Sequence, residues 1–372
     1  MPYTAYLYPA LRNMSQGQCR MRGPKLTCRD MEFPRDEGDH SDADFEWWYF
    51  NGHVWSDDGS RYGLMVCFLR HLLYVMVLDT KRCECLAIVV KGKTKRSPAK
   101  LDVSHANGWW GQAESKEYAY QMQVRHDEVA LSFEMESLKP PLIIGKVPLG
   151  LLGFAHYYAL TRVAINGELL LQGSTHRVSG IGWIDRMWGK CEWTALDHWE
   201  WFSMILDDNS EIMVLRVFHP LTHRVHRQIL VMTTTQGVTR TERFQVRTAY
   251  PWASPSSGIV YRLGWKIVAT RPRVHLDVLP VCPNQELRRG IWEGECSLKG
   301  AINGRGTSGY AYVELLHPYT AKAGLIRRAM YLFISSARYA VRMLMTQEQA
   351  EVVFGKIKAV IPDVLMPDKT EY

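Results

Sequence analysis

An aspartate set among tryptophans is the first place in this sequence where chemistry could be done. Asp185-Arg186 lies between Trp183 and Trp188, on a segment flanked by Gly180, Gly182 and Gly189. A carboxyl held against indole rings loses water, which disfavours its charged form and leaves it able to donate a proton. The same residue could instead pair with Arg186 or Arg162 as a structural bridge, since ion pairs also perturb carboxyl groups. A second set stands nearer the start, in Glu46-Trp47-Trp48-Tyr49-Phe50-Asn51-Gly52-His53-Val54-Trp55. Written as a strand, this puts Trp47, Tyr49, Asn51, His53 and Trp55 on one face and Trp48, Phe50 and Val54 on the other. The second face reads as core. The first mixes rings with hydrogen-bonding groups, as a pocket that orients a mostly apolar ligand requires. Ordinary amphipathic packing would give the same pattern at any single position.

The candidate catalytic residues are therefore Asp185 and Glu46 as proton donors, with Asn51, His53 or Tyr49 as groups that polarise a carbonyl. Candidate substrate-binding residues are Trp47, Tyr49, Tyr158, Arg162, Trp183, Trp188, Glu200 and Trp201. Glu200 shares a strand face with His198, an acid/base pair or a solvated strand edge. His219, His223 and His226 have ligand-like spacing, but Pro220 interrupts them, and no metal or cofactor is expected. Gly304, Gly306 and Gly309 formally match G-x-G-x-x-G. Tyr310 to Leu315 then alternates as a strand instead of opening a helix, so a phosphate-binding reading fails. There is no G-x-S-x-G elbow.

These residues must be positioned by β structure. The first set opens a hairpin whose turn is Ser56-Asp57-Asp58-Gly59-Ser60, and a second hairpin begins at Glu200-Trp201-Phe202-Ser203 and turns at Asp207-Asp208-Asn209-Ser210. From Glu to the first turn Asp is 11 residues in one and 7 in the other; from the second Asp to Arg70 or Arg216 is 12 and 8. Both arms differ by an even number, which preserves the alternation of faces and points to two related β units. Short alternating segments fill 45–138 and resume from Phe154, with a tight turn expected at Asn166-Gly167. Between them, Lys139-Pro140-Pro141 to Pro148-Leu149-Gly150 reads as a loop over the barrel. Ile326, Met330, Phe333, Ala337, Ala340 and Leu344 then mark an amphipathic helix, followed by a second with Val353, Ile357 and Val360. Such a tail can dock on the β body, and its basic residues would also suit a membrane surface.

The expected architecture is all-β: a segment 1–44, β units at 45–178 and 179–318, and a helical extension at 319–372. A net charge of +7 is mild for 372 residues, and the Lys91–Arg96 cluster reads as a solvated loop, so no nucleic-acid partner is expected. Residues 1–12 lack the pattern of a secretory signal, so the eight cysteines are expected to be reduced thiols of a cytoplasmic protein. Cys83-Glu84-Cys85 is too sparse for a metal site.

Several motifs resemble those of the AttH-type, two-domain lipocalin-like family. They are the Glu46–His53 strand, Gly153–Arg162, Val178–Gly189 running on to Trp201-Phe202-Ser203, Trp292-Glu293-Gly294-Glu295, and Gly300 to Glu314. The resemblance spans roughly 45–316 and implies a scaffold that hosts carotenoid hydratases, proteins described as hydrolases, and decalin-forming Diels–Alderases. The family pattern usually carries an acid where this chain has Met187. That departure argues against acid-dependent hydration and for a cofactor-independent cyclase or isomerase of a hydrophobic polyene, polyketide or terpenoid. An alkene hydratase and a non-catalytic lipid or pigment binder are the alternatives.

Overall fold

Alternating apolar residues and β-branched runs produce strands almost throughout the described chain. The computed structural model describes residues 31–114, 116–149, 153–190, 198–218 and 224–316. The first sheet comprises β1 (Phe45–Ser56), β2 (Arg61–Leu69), β3 (Leu72–Asp79), β4 (Glu84–Lys91), β5 (Thr94–Arg96), β6 (Asp102–His105), β7 (Gly108–Gln112), β8 (Ala119–Arg125), β9 (Val129–Ser137), β10 (Leu142–Leu149), β11 (Gly153–Leu171) and β12 (Ser174–Lys190). The second comprises β13 (His198–Leu206), β14 (Glu211–Phe218), β15 (Val225–Thr234), β16 (Gly237–Thr241), β17 (Phe244–Ala253), β18 (Val260–Thr270), β19 (Arg273–Pro280), β20 (Glu286–Arg288), β21 (Ile291–Ile302) and β22 (Arg305–Leu316).

The two sheets repeat one topology. Their orders are β4-β3-β2-β1-β12-β11-β9-β8-β7-β6-β5 and β16-β15-β14-β13-β22-β21-β19-β18-β17, with β10 on β11 and β20 on β21 as side pairings. Strand by strand, β1 answers β13, β12 answers β22 and β11 answers β21. The duplication expected from the twin hairpins is thus present in the whole sheet. The turns agree too: the left-handed position is Gly59 (φ 83°) in one hairpin and Asn209 (φ 64°) in the other, the residue types that tolerate it best.

Each sheet curls so that one face encloses its own core. Ile88 of β4 and Trp110 of β7, from distant parts of the first sheet, meet in a cluster with Trp48, Phe50 and Val54. Met232 of β15 and Phe244 of β17 do the same in the second. The opposite faces meet in a third cluster, a seam that joins Tyr49, Tyr157 and Trp183 to Trp201, Leu215 and Tyr312. The seam is tied at its margins. Arg162 and Lys139 of the first sheet converge on buried Glu211 of the second, and Arg240 donates to the carbonyls of Ile143 and Ile144.

Four expectations are corrected. Asn166-Gly167 is not a turn: β11 runs through it, pairing Asn166 with Ser179 and Gly167 with Val178. Glycine is needed there because a Cβ would stand 2.0 Å from the Ser132 carbonyl oxygen on β9. The Pro-rich 139–150 stretch supplies β10, an added strand on β11, instead of a loop. Not all cysteines are thiols: Cys83 and Cys282 form a disulfide, with a Cα–Cα distance of 5.6 Å, that links the β3–β4 turn to the end of β19. Finally, the first sheet includes all of β12 and runs to Lys190, past position 178. The helical tail, His219 and His223 lie outside the described residues. No helix among the described residues is long and apolar enough to cross a membrane.

The disulfide closes a loop of 199 residues across the seam, so its loss should cost about 2–5 kcal/mol. Dithiothreitol should lower the thermal midpoint of the wild type and leave that of Cys282→Ser unchanged. Equal responses from both proteins would remove the cross-link from the account.

Candidate active site

Pleating decides which side chains enter the seam. On β1 the odd-numbered residues from Trp47 to Trp55 point toward the second sheet, and the even-numbered Trp48, Phe50 and Val54 point into the first core. The facing strand β13 alternates the same way. Trp199 and Trp201 enter the seam, and Phe202 and Met204 enter the second core. The two hairpins therefore meet rung by rung. Trp47 stacks on Trp199 with centroids 6.3 Å apart, Tyr49 meets Trp201 edge-on at 5.6 Å, and Ser203 donates to the Asn51 side-chain oxygen at 3.3 Å.

Three carboxyl groups cluster around these aromatic rungs of the seam. Asp185 stands on β12 beside Tyr49 in register, buried, and accepts from the Trp183 indole at 3.3 Å. Burial pushes its carboxyl well above the usual range, and hydrogen bonds from Tyr157 and Trp183 recover only part of the shift. Tyr157 in turn accepts from the Trp201 indole at 2.8 Å. Glu293 and Glu314 are register partners on β21 and β22. Burial, then repulsion by Glu314, raises Glu293 far above its ordinary value; Tyr49 donates to it at 2.9 Å. Burial raises Glu314 to about 7, against a hydrogen bond of 2.9 Å from Trp199. All three lie close enough to the buried Cys67 thiol to reinforce, after burial, its rise. Among the described residues, none of the three carboxyls forms an ion pair.

The arrangement gathers, between aromatic walls, three carboxyl groups whose charged forms burial disfavours. Trp47, Trp199 and Glu314 are only partly buried, unlike Tyr49, Trp201 and Glu293. That end is where the cluster approaches solvent.

Seven of the twelve expected site residues share the seam: Trp47, Tyr49, Asn51, His53, Trp183, Asp185 and Trp201. Five do not, and parity accounts for most of them. Glu46, Tyr158, Arg186 and Trp188 project into the opposite, inner face. There Arg186 bonds Glu46 at 2.9 Å, His40 bonds Glu46 at 2.8 Å, and Trp188 stacks on His40 at 4.0 Å. Burial opposes the charge on Glu46, but Arg186 and His40 outweigh it and hold the carboxyl at about 2, so Glu46 is no proton donor near neutrality. Tyr158 is buried against Phe33, with ring centroids 4.9 Å apart. Its neighbour Tyr157 takes the seam position. Glu200 faces away from Trp199 and Trp201 and bonds Arg216 at 2.5 Å. Arg162 binds Glu211 and the Leu206 carbonyl at 2.8 Å. Asp185 therefore bridges neither Arg186 nor Arg162. Sequence reasoning missed Tyr157, Trp199, Glu293 and Glu314 as site residues. The signal for Glu293 was visible in Trp292-Glu293-Gly294-Glu295, acids alternating with core residues on a strand.

The fold and seam define a two-sheet, lipocalin-like β protein with a buried acidic site. The chain belongs to the AttH-like family, whose model matches residues 81–319. It is similar to a structure assigned to AttH of Nitrosomonas europaea, with 20% identity and a TM-score of 0.67, covering 79% of this chain and 99% of that one. It is also similar to kievitone hydratase from Nectria haematococca, with 16% identity and a TM-score of 0.67, over 77% and 93% of the two chains. At these identities the likeness is one of fold. No curated protein matches the chain in sequence.

The raised acids make a signed prediction. The unfolded chain releases the Glu314 proton near 4.5, and the folded protein holds it to about 7. This group's contribution is therefore fully present below pH 4.5 and is lost as pH rises to about 7. Urea unfolding across that window should show a shallower loss of stability in Glu314→Gln than in the wild type. Parallel curves would mean that the carboxyl titrates normally.

Proposed function

We propose that this protein is an enzyme that protonates a carbon–carbon double bond of a hydrophobic natural product, a polyene or terpenoid, and adds water to it. The observation that carries this reading is the buried Asp185 carboxyl, which has no cationic partner among the described residues and is held by Trp183 and Tyr157. An acid kept neutral at physiological pH can give its proton to an alkene, which a solvated carboxylate cannot do. The Trp183 and Trp201 rings, 6.1 Å apart and edge-on, suit the positive charge that develops on carbon. The missing acid at Met187 is no obstacle to this chemistry. Aligning Glu46 with Glu200 matches the rung Trp47–Met187 to Trp201–Glu314, so an acid stands at the corresponding place in the second sheet. Proton and water are the only reagents needed, so the reaction calls for no redox or group-transfer cofactor.

A second reading is cyclisation, which the same aromatic walls favour. If the proton starts it, Asp185 remains the donor; if shape alone drives it, Asp185 is dispensable. Kievitone, the compound in the name of the structural neighbour, is a first probe, alongside a pool of isoprenoid alkenes. Incubated in D₂O, the wild type should place solvent deuterium on carbon, and Asp185→Asn should lower that rate by about 10²–10⁴-fold. Product formation without deuterium, undiminished in Asp185→Asn, would support shape-driven cyclisation. Binding with every probe returned unchanged and unlabelled would leave a carrier.

A further inference from the structure

Beyond the acid cluster, one step further along the seam, lies a second polar group that the proton-donating site does not use. His53 is 1% exposed and Glu295 is fully buried, and their Nδ1 and Oε1 atoms approach to 3.3 Å without hydrogen-bond alignment. The Arg61 Nε lies 3.4 Å from the same carboxylate oxygen. Asn51, fully buried beside them on β1, has its side-chain oxygen on Ser203 and its Nδ2 without a partner. Both Glu295 oxygens are also without hydrogen bonds. Four such atoms in one buried neighbourhood are costly unless a small polar molecule satisfies them. The backbone is shaped to admit the carboxylate. A Cβ at Gly63 on β2 would stand 2.1 Å from Glu295 Oε2.

We infer that Asn51, His53 and Glu295 hold and activate the water that adds to the substrate. The inference rests on the acid-initiated reading above. Glu293 and Glu295 are two residues apart on one face of β21, a separation of about 7 Å along the strand. Tyr49 links Glu293 to the acid, donating to Glu293 and pairing in register with Asp185, so the acid cluster and the Glu295 group are neighbours along the seam. With Nδ1 turned toward Glu295, His53 offers Nε2 as the base, in the manner of carboxylate–histidine pairs. In the step, the O–H bond of the acid breaks and the alkene π pair forms a C–H bond, leaving a carbocation. A lone pair of the held water forms the C–O bond, and a water proton passes to His53. The sum is alkene plus water giving alcohol, with the acid deprotonated and His53 protonated, and proton transfer back through solvent resets both.

The test separates the two half-reactions. In D₂O with H₂¹⁸O, His53→Gln and Glu295→Gln should keep deuterium exchange into the alkene within a few-fold of wild type and lose ¹⁸O addition by about 10²-fold or more. Equal losses of both labels, or of neither, would overturn the role. A high-resolution crystal structure of the wild type decides the water site without any substrate. One ordered solvent molecule should bridge Asn51 Nδ2 and the Glu295 carboxylate, and direct protein bonds to those atoms with no solvent between would refute it. If the wild type exchanges no deuterium, the acid reading falls and the solvent site alone decides this proposal.

Discussion

The structure depends on strands buried on both faces where the two sheets meet, β1, β2 and β3 in one and β14 in the other. An antiparallel sheet commonly offers one face to water, as β8, β9, β18 and β19 do here, but the strands at the seam turn one face to their own core and the other to the twin sheet. Strand alternation then sorts residues between two different interiors. On β12, Ile184 belongs to the first core, while Trp183, Asp185 and Met187 belong to the seam. A carboxyl on the seam face has no water to pair with. Where no guanidinium is supplied, as Arg162 is at Glu211, burial disfavours its charged form. The contrast within one molecule is direct: Glu46, paired to Arg186, is held at about 2, and Asp185, unpaired among the described residues, is pushed the other way.

Duplication explains why the site is divided between strands. A repeated sheet topology creates an interface lined twice by related hairpins, and the copies have diverged in what they contribute. The first brings Asn51, His53 and Tyr49, and the second brings Trp199, Trp201 and Ser203. The paired acids Glu293 and Glu314 come from the second sheet, and Asp185 from the first. Neither half holds the full set, so the margins that tie the halves together also hold the site together. Arg162 belongs to that framework through Glu211.

Much of the fold was legible because hairpin arms and their turns are local. The Ser56–Ser60 and Asp207–Ser210 turns, the two faces of β1 and the duplication all follow from spacing and alternation. What failed were inferences about contacts across strands. Asn166-Gly167 has turn composition, yet Gly167 is required by the approach of β9, a neighbour that local sequence does not name. Tyr158 was chosen over Tyr157 because neither motif nor composition sets the phase of a strand relative to the seam. The register shift between Leu160 and Val163 changes that phase within β11. Glu293 and Glu314 were hidden for another reason. Burial raises both carboxyls, and Glu314 across the β21–β22 pairing adds to the rise of Glu293; neither cause is a property of the residues' own segments. The disulfide was equally invisible, since its halves lie 199 residues apart.

The central claim is that the seam stores carboxylic acids, not carboxylates, at neutral pH. Infrared difference spectroscopy reads this directly, because a protonated carboxyl has a carbonyl stretching band separate from that of the carboxylate. At pH 7 the wild type should show buried-acid bands, and Asp185→Asn should lose one of them. A wild-type spectrum with no protonated carboxyl at pH 7 would contradict the account.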